Sequence, residues 1–235
     1  MAPPAAVVPA AVVTDIEGTT TRIAFVHDIL FPYARKHLRQ FLAARASDPE
    51  VESALAEVVR LVPGVAPGET LLGWMEADAK VTPLKTLQGL IWADGYASGD
   101  LRSEVFPDVV PALRQWRAAG VRLYVYSSGS EAAQKQLFAH LPEGDVTPLF
   151  SGFFDTNVGA KRDAGSYRTI ATAIGLPAGD LLFLSDIAAE LDAAHAGGWR
   201  TCQLVRPQDG TQPAPRHQQA RDFDAVGEMF GFSAG

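Results

Sequence analysis

Four short runs of nearly continuous apolar residues constrain this chain more than any other feature: 10–14 (AAVVT), 121–126 (VRLYVY), 180–184 (DLLFL) and 201–205 (TCQLV). A strand with one wet face alternates polar and apolar residues, whereas a strand covered on both faces does not. These runs therefore read as parallel strands buried between two layers of helix. Helical patterns separate the later ones. The segment 107–119 carries Val110, Leu113 and Trp116 at helical spacing and stops at Gly120. The segments 131–141, 164–174 and 188–196 repeat the pattern, the last two ending at Gly175 and at Gly197-Gly198. Glycine just past the last helical residue is the expected stop. Strand and helix in alternation imply an α/β fold with a doubly wound, mostly parallel sheet.

The stretch 21–104 breaks that rhythm. Val26, Ile29, Leu30, Tyr33, His37, Leu38 and Phe41 make one helical stripe. Val51, Leu55, Val58, Val59 and Val62 make a second, and Leu84, Leu87, Leu90 and Ile91 a third. PGVAPGE and DGYASGD read as loops between them. The expectation is an α/β core built from 1–20 and 105–235, with a small helical cap domain, 21–104, inserted after the first strand. The polar, Pro-rich tail 206–220 reads as an extended or mobile surface segment.

The chain has 235 residues, 47% of them hydrophobic, and a mean hydropathy of +0.04, enough for a sizeable core. Its net charge is -7 and its pI about 5.2. An acidic surface repels nucleic acid and anionic lipid, so neither is an expected partner. An anionic substrate would need positive charge supplied locally. Cys202, the single cysteine, lies in a strand-like run and reads as buried rather than reactive. The first residues, MAPPAAVVPAAVV, lack the basic segment of a signal peptide. No apolar run reaches the ~18–20 residues of a membrane span. A reduced, cytoplasmic protein is expected.

In an open α/β sheet, ligands bind at the carboxyl ends of the strands. The first strand runs into Asp15-Ile16-Glu17-Gly18-Thr19-Thr20, and the second into Ser127-Ser128-Gly129-Ser130. The third runs into Ser185-Asp186, with Glu190 one helical turn on, and Lys161 lies in the intervening loop TNVGAKRD. Phosphoryl transfer needs a nucleophile, a divalent cation, donors around the phosphoryl oxygens and a proton source for the leaving group. Asp15 can attack phosphorus and carry an acyl phosphate. Asp15 and Asp186 together suit Mg²⁺, which takes oxygen ligands and usually one or two carboxylates. Ser127 or Ser128, with backbone N–H groups near Gly129, can hold a phosphate at a helix N-terminus. Lys161 adds a point charge, and Glu17 can shuttle the proton.

Each residue alone has a plainer explanation. Asp15 could form a turn, Ser127–Ser130 could cap the following helix, Lys161 could be a solvated lysine, and Asp186 could be a cap. Their order, at three strand ends and one loop, favours catalysis. The five histidines, His27, His37, His140, His195 and His217, lack zinc-ligand spacing. There is no G-x-S-x-G elbow, Walker lysine loop or G-x-G-x-x-G. Trp74, Trp92 and Trp116 fall within helical patterns and read as core.

The sequence Asp-x-Glu-Gly-Thr, Ser-Ser-Gly-Ser, Lys, Ser-Asp-x-x-x-Glu resembles the four motifs of the haloacid dehalogenase superfamily. Most phosphatases there carry Asp-x-Asp first; Glu17 marks a departure shared by the enolase-phosphatase (acireductone synthase) family. DIEGTTTRIAFVHDILFPYARKHL, LKTLQGLIWADGYASGDLRSEVFPDV, LYVYSSGS, SGFFDTNVGAKRDAGSY and FLSDIAAELDAA are similar to that family over nearly the whole chain. The resemblance implies a Rossmann-like, haloacid dehalogenase-like fold. It also implies enolisation and then dephosphorylation of 2,3-diketo-5-methylthiopentyl 1-phosphate in methionine salvage. It implies one Mg²⁺ held by Asp15, Glu17 (through its carbonyl) and Asp186, substrate contacts from Ser127, Ser128 and Lys161, and a monomer. The enolising base stays open between Glu17 and a cap lysine, Lys80 or Lys85. Another sugar-phosphate phosphatase or phosphomutase of the superfamily is the alternative, and a phospho-acceptor switch domain is a third reading.

Overall fold

The computed structural model describes residues 8–232. They form two compact units: Ala24–Arg102, and the residues up to Ile23 joined by those from Ser103 onward.

The first unit is all helix: α1 (Phe31–Ala44), α2 (Pro49–Leu61), α3 (Pro67–Glu76) and α4 (Thr82–Ser98), with a π-helical turn, Phe25–Leu30, leading into α1. Helices α2, α3 and α4 have proline at their first or second position, where the missing N–H would have no helical partner anyway; Pro32 of α1 instead follows directly on the π-helical turn. Asp48 caps α2 by accepting from the Glu50 N–H at 3.0 Å. The helices bury a common core of Leu38 and Phe41, Val51 and Val58, Leu71, and Leu87 and Ile91. Two residues of the expected stripes face outward: Ile29 is 47% exposed and Val59 48%. The expected loops are shorter than read. PGVAPGE ends inside α3, which starts at Pro67, and DGYASGD is helical as far as Ser98. Trp74 and Trp92 pack against this core as half-buried side chains.

The second unit is the α/β layer. Its strands are β1 (Ala11–Thr14), β2 (Arg122–Tyr126), β3 (Gly152–Phe154), β4 (Leu181–Ser185), β5 (Arg200–Leu204) and β6 (Gln218–Ala220). They pair in the order β3-β2-β1-β4-β5-β6, every neighbour parallel. Its helices are α5 (Val109–Ala118), α6 (Glu131–Ala139), α7 (Ala164–Ile174), α8 (Ala188–Ala196) and α9 (Phe223–Phe230). Val13, Tyr126 and Phe183 point to one face, where they meet Tyr167, Ile170, Leu191 and Trp199 of α7, α8 and the turn before β5. Strand alternation sends Val12, Val125 and Leu182 to the other face. Near α5 and α9, Trp116 stacks on Phe223 with ring centroids 5.2 Å apart. Cys202 is buried in β5, as read from its context. Most of the segment MAPPAAVVPAAVV precedes residue 8 and lies outside the described residues.

The expected extended or mobile surface segment, 206–220, does run largely at the surface, but it is anchored at specific points. Arg206 is 4% exposed, His217 is 9% exposed, and residues 218–220 form the edge strand β6. Arg206, paired with Asp108, and His217, bonded to Thr201, fasten this segment to the sheet, while polar residues between them, such as Gln208, Gln212 and Arg216, remain exposed. No helix among the described residues is long and apolar enough to cross a membrane.

Candidate active site

The strand order turns back at β1, with β2 on one side and β4 on the other. Chain therefore leaves the sheet in opposite directions from neighbouring strands, opening a crevice at their carboxyl ends. Asp15, Ser127 and Ser185-Asp186 stand there, immediately after β1, β2 and along the end of β4.

Lys161 completes the cluster. Its ammonium lies 2.6 Å from Asp15 Oδ1 and 2.6 Å from Glu190 Oε2, with all three side chains nearly inaccessible to water. The solvated-lysine reading is thus overturned. Three hydroxyls set the lysine's backbone by donating to consecutive carbonyls. Tyr126 Oη bonds Gly159 O at 2.9 Å, Ser166 Oγ bonds Ala160 O at 2.8 Å, and Tyr167 Oη bonds Lys161 O at 2.8 Å. Gly159 has φ +131, and a Cβ there would come within 2.3 Å of Ser166 Oγ, so glycine is required.

Asp15 Oδ1 also accepts from the Ile16 N–H at 2.7 Å. The β1 loop then turns tightly, with the Thr19, Thr20 and Thr21 N–H groups all pointing at Ile16 O. Gly18 sits at φ +70, and a Cβ added to it would lie 2.5 Å from Asp186 Oδ2. The Asp15 loop and the Asp186 carboxylate thus meet at van der Waals distance. Asp186 does not cap α8, whose N-cap is Ile187 without a side-chain bond. Ser185 Oγ donates to Glu190 Oε2 at 3.0 Å and accepts from the Ile187 N–H at 3.1 Å, fixing Glu190 toward Lys161.

Ser127 is buried and Ser128 exposed. Ser130 caps α6 by accepting from the Ala133 N–H, so the capping role falls to it and leaves Ser127 for another use. Gln134 Nε2 ties the loop down by donating to Gly129 O and to Phe154 O, both at 2.8 Å. Glu17, two residues past Asp15, is exposed and forms a short parallel bridge with Thr21. Lys80 is exposed and paired with Asp78 at 2.7 Å.

Charge in the cluster is unbalanced. Three carboxyl groups, Asp15, Asp186 and Glu190, face one ammonium. Burial alone would push the Lys161 ammonium down, but the facing Asp15 and Glu190 carboxylates outweigh it and hold it up, so it stays charged. Burial, then the Asp15 charge, pushes Glu190 up. Burial first, and next the Asp15 charge, pushes Asp186 up to about 7. Asp186 Oδ1 is buried with no hydrogen-bond partner, which ordinarily costs about 1–3 kcal/mol or more for a charged group. An orphaned carboxyl oxygen in a buried cluster with three carboxyl groups and one ammonium fits a divalent cation. No cluster of three metal-binding His, Cys, Asp or Glu side chains occurs among the described residues. Mg²⁺ does not require one, since one or two carboxylates, a carbonyl and waters suffice.

Glu190 is legible in the sequence only as a motif member, and Thr19, Tyr126, Ser166 and Tyr167 carry no signal of their own. The tyrosines and Gln203 lie in apolar patterns that read as core.

Fold and cluster define a class of hydrolase that places an aspartate at the end of the first strand. The sequence model of haloacid dehalogenase-like hydrolases matches residues 9–198, and the chain belongs to that family. Its relatives narrow the assignment. It is 58% identical over 219 residues to enolase-phosphatase E1 of Gluconacetobacter diazotrophicus, covering 93% of each chain. It is 55% identical over 224 residues to enolase-phosphatase E1 of Granulibacter bethesdensis, covering 95% of this chain and 97% of that protein. Within the hydrolases, then, this chain is a member of the enolase-phosphatase E1 family. Among solved structures, the UTR4 protein of Saccharomyces cerevisiae matches with a TM-score of 0.78 and 33% identity, over 92% of this chain and 99% of that one. CbbY from Rhodobacter sphaeroides, solved with phosphate, shares the fold at a TM-score of 0.62 and 16% identity, over 93% of this chain and 96% of that one.

Proposed function

We propose that this chain is an acireductone synthase, which enolises 2,3-diketo-5-methylthiopentyl 1-phosphate and then hydrolyses its phosphate ester in methionine salvage. The observation that carries the phosphatase half is the buried Lys161 ammonium, 2.6 Å from both Asp15 and Glu190 at the switch point of the sheet. Identity of 52–58% with proteins named enolase-phosphatase E1 supports the enolase half.

Asp15 is the nucleophile. Its Oδ1 is engaged by Lys161 and the Ile16 N–H, so Oδ2 is the atom that attacks phosphorus. The leaving oxygen departs as the P–O bond breaks, and Glu17 donates the proton it needs. Lys161, Ser127 and Ser128 hold the phosphoryl oxygens, countering charge that builds as the new bond forms. Glu17, now ionised, takes a proton from water. That water attacks phosphorus, releasing phosphate and restoring the Asp15 carboxylate.

Asp15, Asp186 and the Glu17 carbonyl would hold Mg²⁺. When bound, that ion neutralises phosphate charge and polarises a neighbouring carbonyl. The helical unit, inserted directly after the Asp15 turn, serves as the cap domain that selects the substrate. A cytoplasmic monomer, as the family resemblance implies, is part of the same reading. The enolising base is Glu17 or a lysine of the helical unit, Lys80 or Lys85; of these, Lys80 is paired with Asp78.

The test is an assay of the pure protein with Mg²⁺ and the diketone phosphate. Phosphate release with a transient enediol chromophore is expected. Phosphate release with no enolic species at any time removes the enolase half, and equal or faster turnover of ordinary sugar phosphates favours the alternative phosphatase.

A further inference from the structure

Asp186 is braced on both sides by groups that take no part in the chemistry above. Its N–H donates to Thr19 Oγ1 at 3.0 Å, and its carbonyl accepts from Gln203 Nε2 at 2.8 Å. Gln203 lies on β5, in register with Ser185, and is 1% exposed. A buried amide is costly unless its hydrogen bonds are met, and here they are. Nε2 donates also to Gln212 O at 3.0 Å, while Oε1 accepts from the Ala214 N–H at 2.7 Å. The amide thus clamps the strand end that bears Asp186 to the segment 212–214.

The second brace leads to the same segment. Thr19 O accepts from Arg206 Nε at 3.3 Å and Nη2 at 3.0 Å. Arg206 also forks onto Asp108, with Nη1 3.0 Å from Oδ1 and Nη2 2.8 Å from Oδ2, and lies over the Phe106 ring at 4.1 Å. Asp108 Oδ2 accepts in turn from the Phe223 N–H at 2.8 Å. A planar, bidentate guanidinium fixes direction as well as distance.

We infer that Gln203 and Thr19, anchored by residues 206–214, are positioning residues that aim the Asp186 carboxylate and so set the protein's affinity for its divalent cation. The inference rests on the reading of Asp186 as a cation ligand. Groups that orient metal ligands typically change metal affinity by about 10–100-fold when removed.

The experiment titrates metal-free protein with Mg²⁺ by calorimetry and measures urea unfolding in parallel. Gln203→Met keeps the side-chain volume and removes both halves of the clamp. It should weaken Mg²⁺ binding by about tenfold and raise the Mg²⁺ concentration needed for half-maximal turnover, with kcat at saturating Mg²⁺ little changed. Thr201→Val cuts the 2.9 Å tie between Thr201 and His217, loosening the same tail without touching Asp186. It should lower stability and leave Mg²⁺ affinity as it was. Gln203→Met with unaltered Mg²⁺ affinity overturns the inference, as does Thr201→Val losing as much affinity. If Gln203→Met does not fold, Thr19→Val cuts the opposite brace and carries the same expectation. Asp186→Asn separates the two levels. Unaltered Mg²⁺ binding in Asp186→Asn defeats the ligand reading itself, whereas its loss there alone defeats only the positioning role.

Discussion

Lys161 and Asp15 meet at 2.6 Å with side chains only 7% and 6% exposed. The contact joins the loop before α7 to the end of β1. A buried ion pair is weak evidence for stability while intact, but breaking one strands a charge and costs about 3–5 kcal/mol. Lys161→Met should therefore destabilise the metal-free protein by about that amount in urea unfolding at pH 7.5. It should also lower phosphate release by on the order of 10²–10³. A variant as stable as the parent would show that the pair is not formed in solution.

Asp15→Asn keeps an oxygen acceptor for Lys161 and the Ile16 N–H, so its fold should persist. Hydrolysis should fall by at least about 10⁴-fold, the scale of losing a covalent nucleophile. Circular dichroism and a phosphate-release assay check the two halves.

Gly18→Ala should disturb the cation site more than the fold. The added Cβ at 2.5 Å from Asp186 Oδ2 forces that carboxylate aside, and the left-handed φ of +70 adds strain of about 1–2 kcal/mol. Mg²⁺ affinity measured by calorimetry should drop by about tenfold or more. Binding at full strength would mean that Asp186 lies elsewhere when the ion is bound.

The pH dependence has a definite sign. Asp186, raised to about 7 by burial and then by the Asp15 charge, binds a proton more tightly folded than unfolded. Metal-free protein should thus lose stability as pH rises from the usual carboxylate range toward 7, at up to about 1.4 kcal/mol per unit of pKa difference. Mg²⁺ must displace that proton, so its binding should strengthen between pH 6 and 8 and release a proton at the lower pH. Calorimetry in buffers of different ionisation enthalpy detects the proton. A Mg²⁺ affinity flat across that range would contradict the raised Asp186.

Glu17→Gln should slow the phosphorylation step for substrates with poor leaving groups by about 10²-fold while sparing the first-turnover release of p-nitrophenol, whose oxygen needs no proton for its departure. Equal slowing of both would move the acid role to another group.

Much of this arrangement is legible in the sequence because parallel strands covered on both faces write themselves as apolar runs. The runs ending at Thr14, Tyr126 and Leu184 place three polar clusters at one edge of the sheet. The three-residue strands β3 and β6 are too short to carry a period and are not legible in the sequence. The tail shows the deeper limit. RPQDGTQPAPRHQQA has the composition of a loop in water, yet Arg206 is buried because Asp108, Thr19 O and the Phe106 and Phe223 rings receive it. Composition records polarity, not whether a partner on another segment satisfies it. Gln203 was hidden by the opposite effect, a polar amide inside an apolar strand.

The most direct measurement is an acid-quenched single turnover with ³²P-labelled diketone phosphate, followed by peptide mapping. A hydroxylamine-labile label that rises and falls on the peptide containing Asp15, ahead of free phosphate, is the predicted result. Phosphate formed in the first turnover with no protein-bound label at any time, or label on a residue other than Asp15, would contradict it.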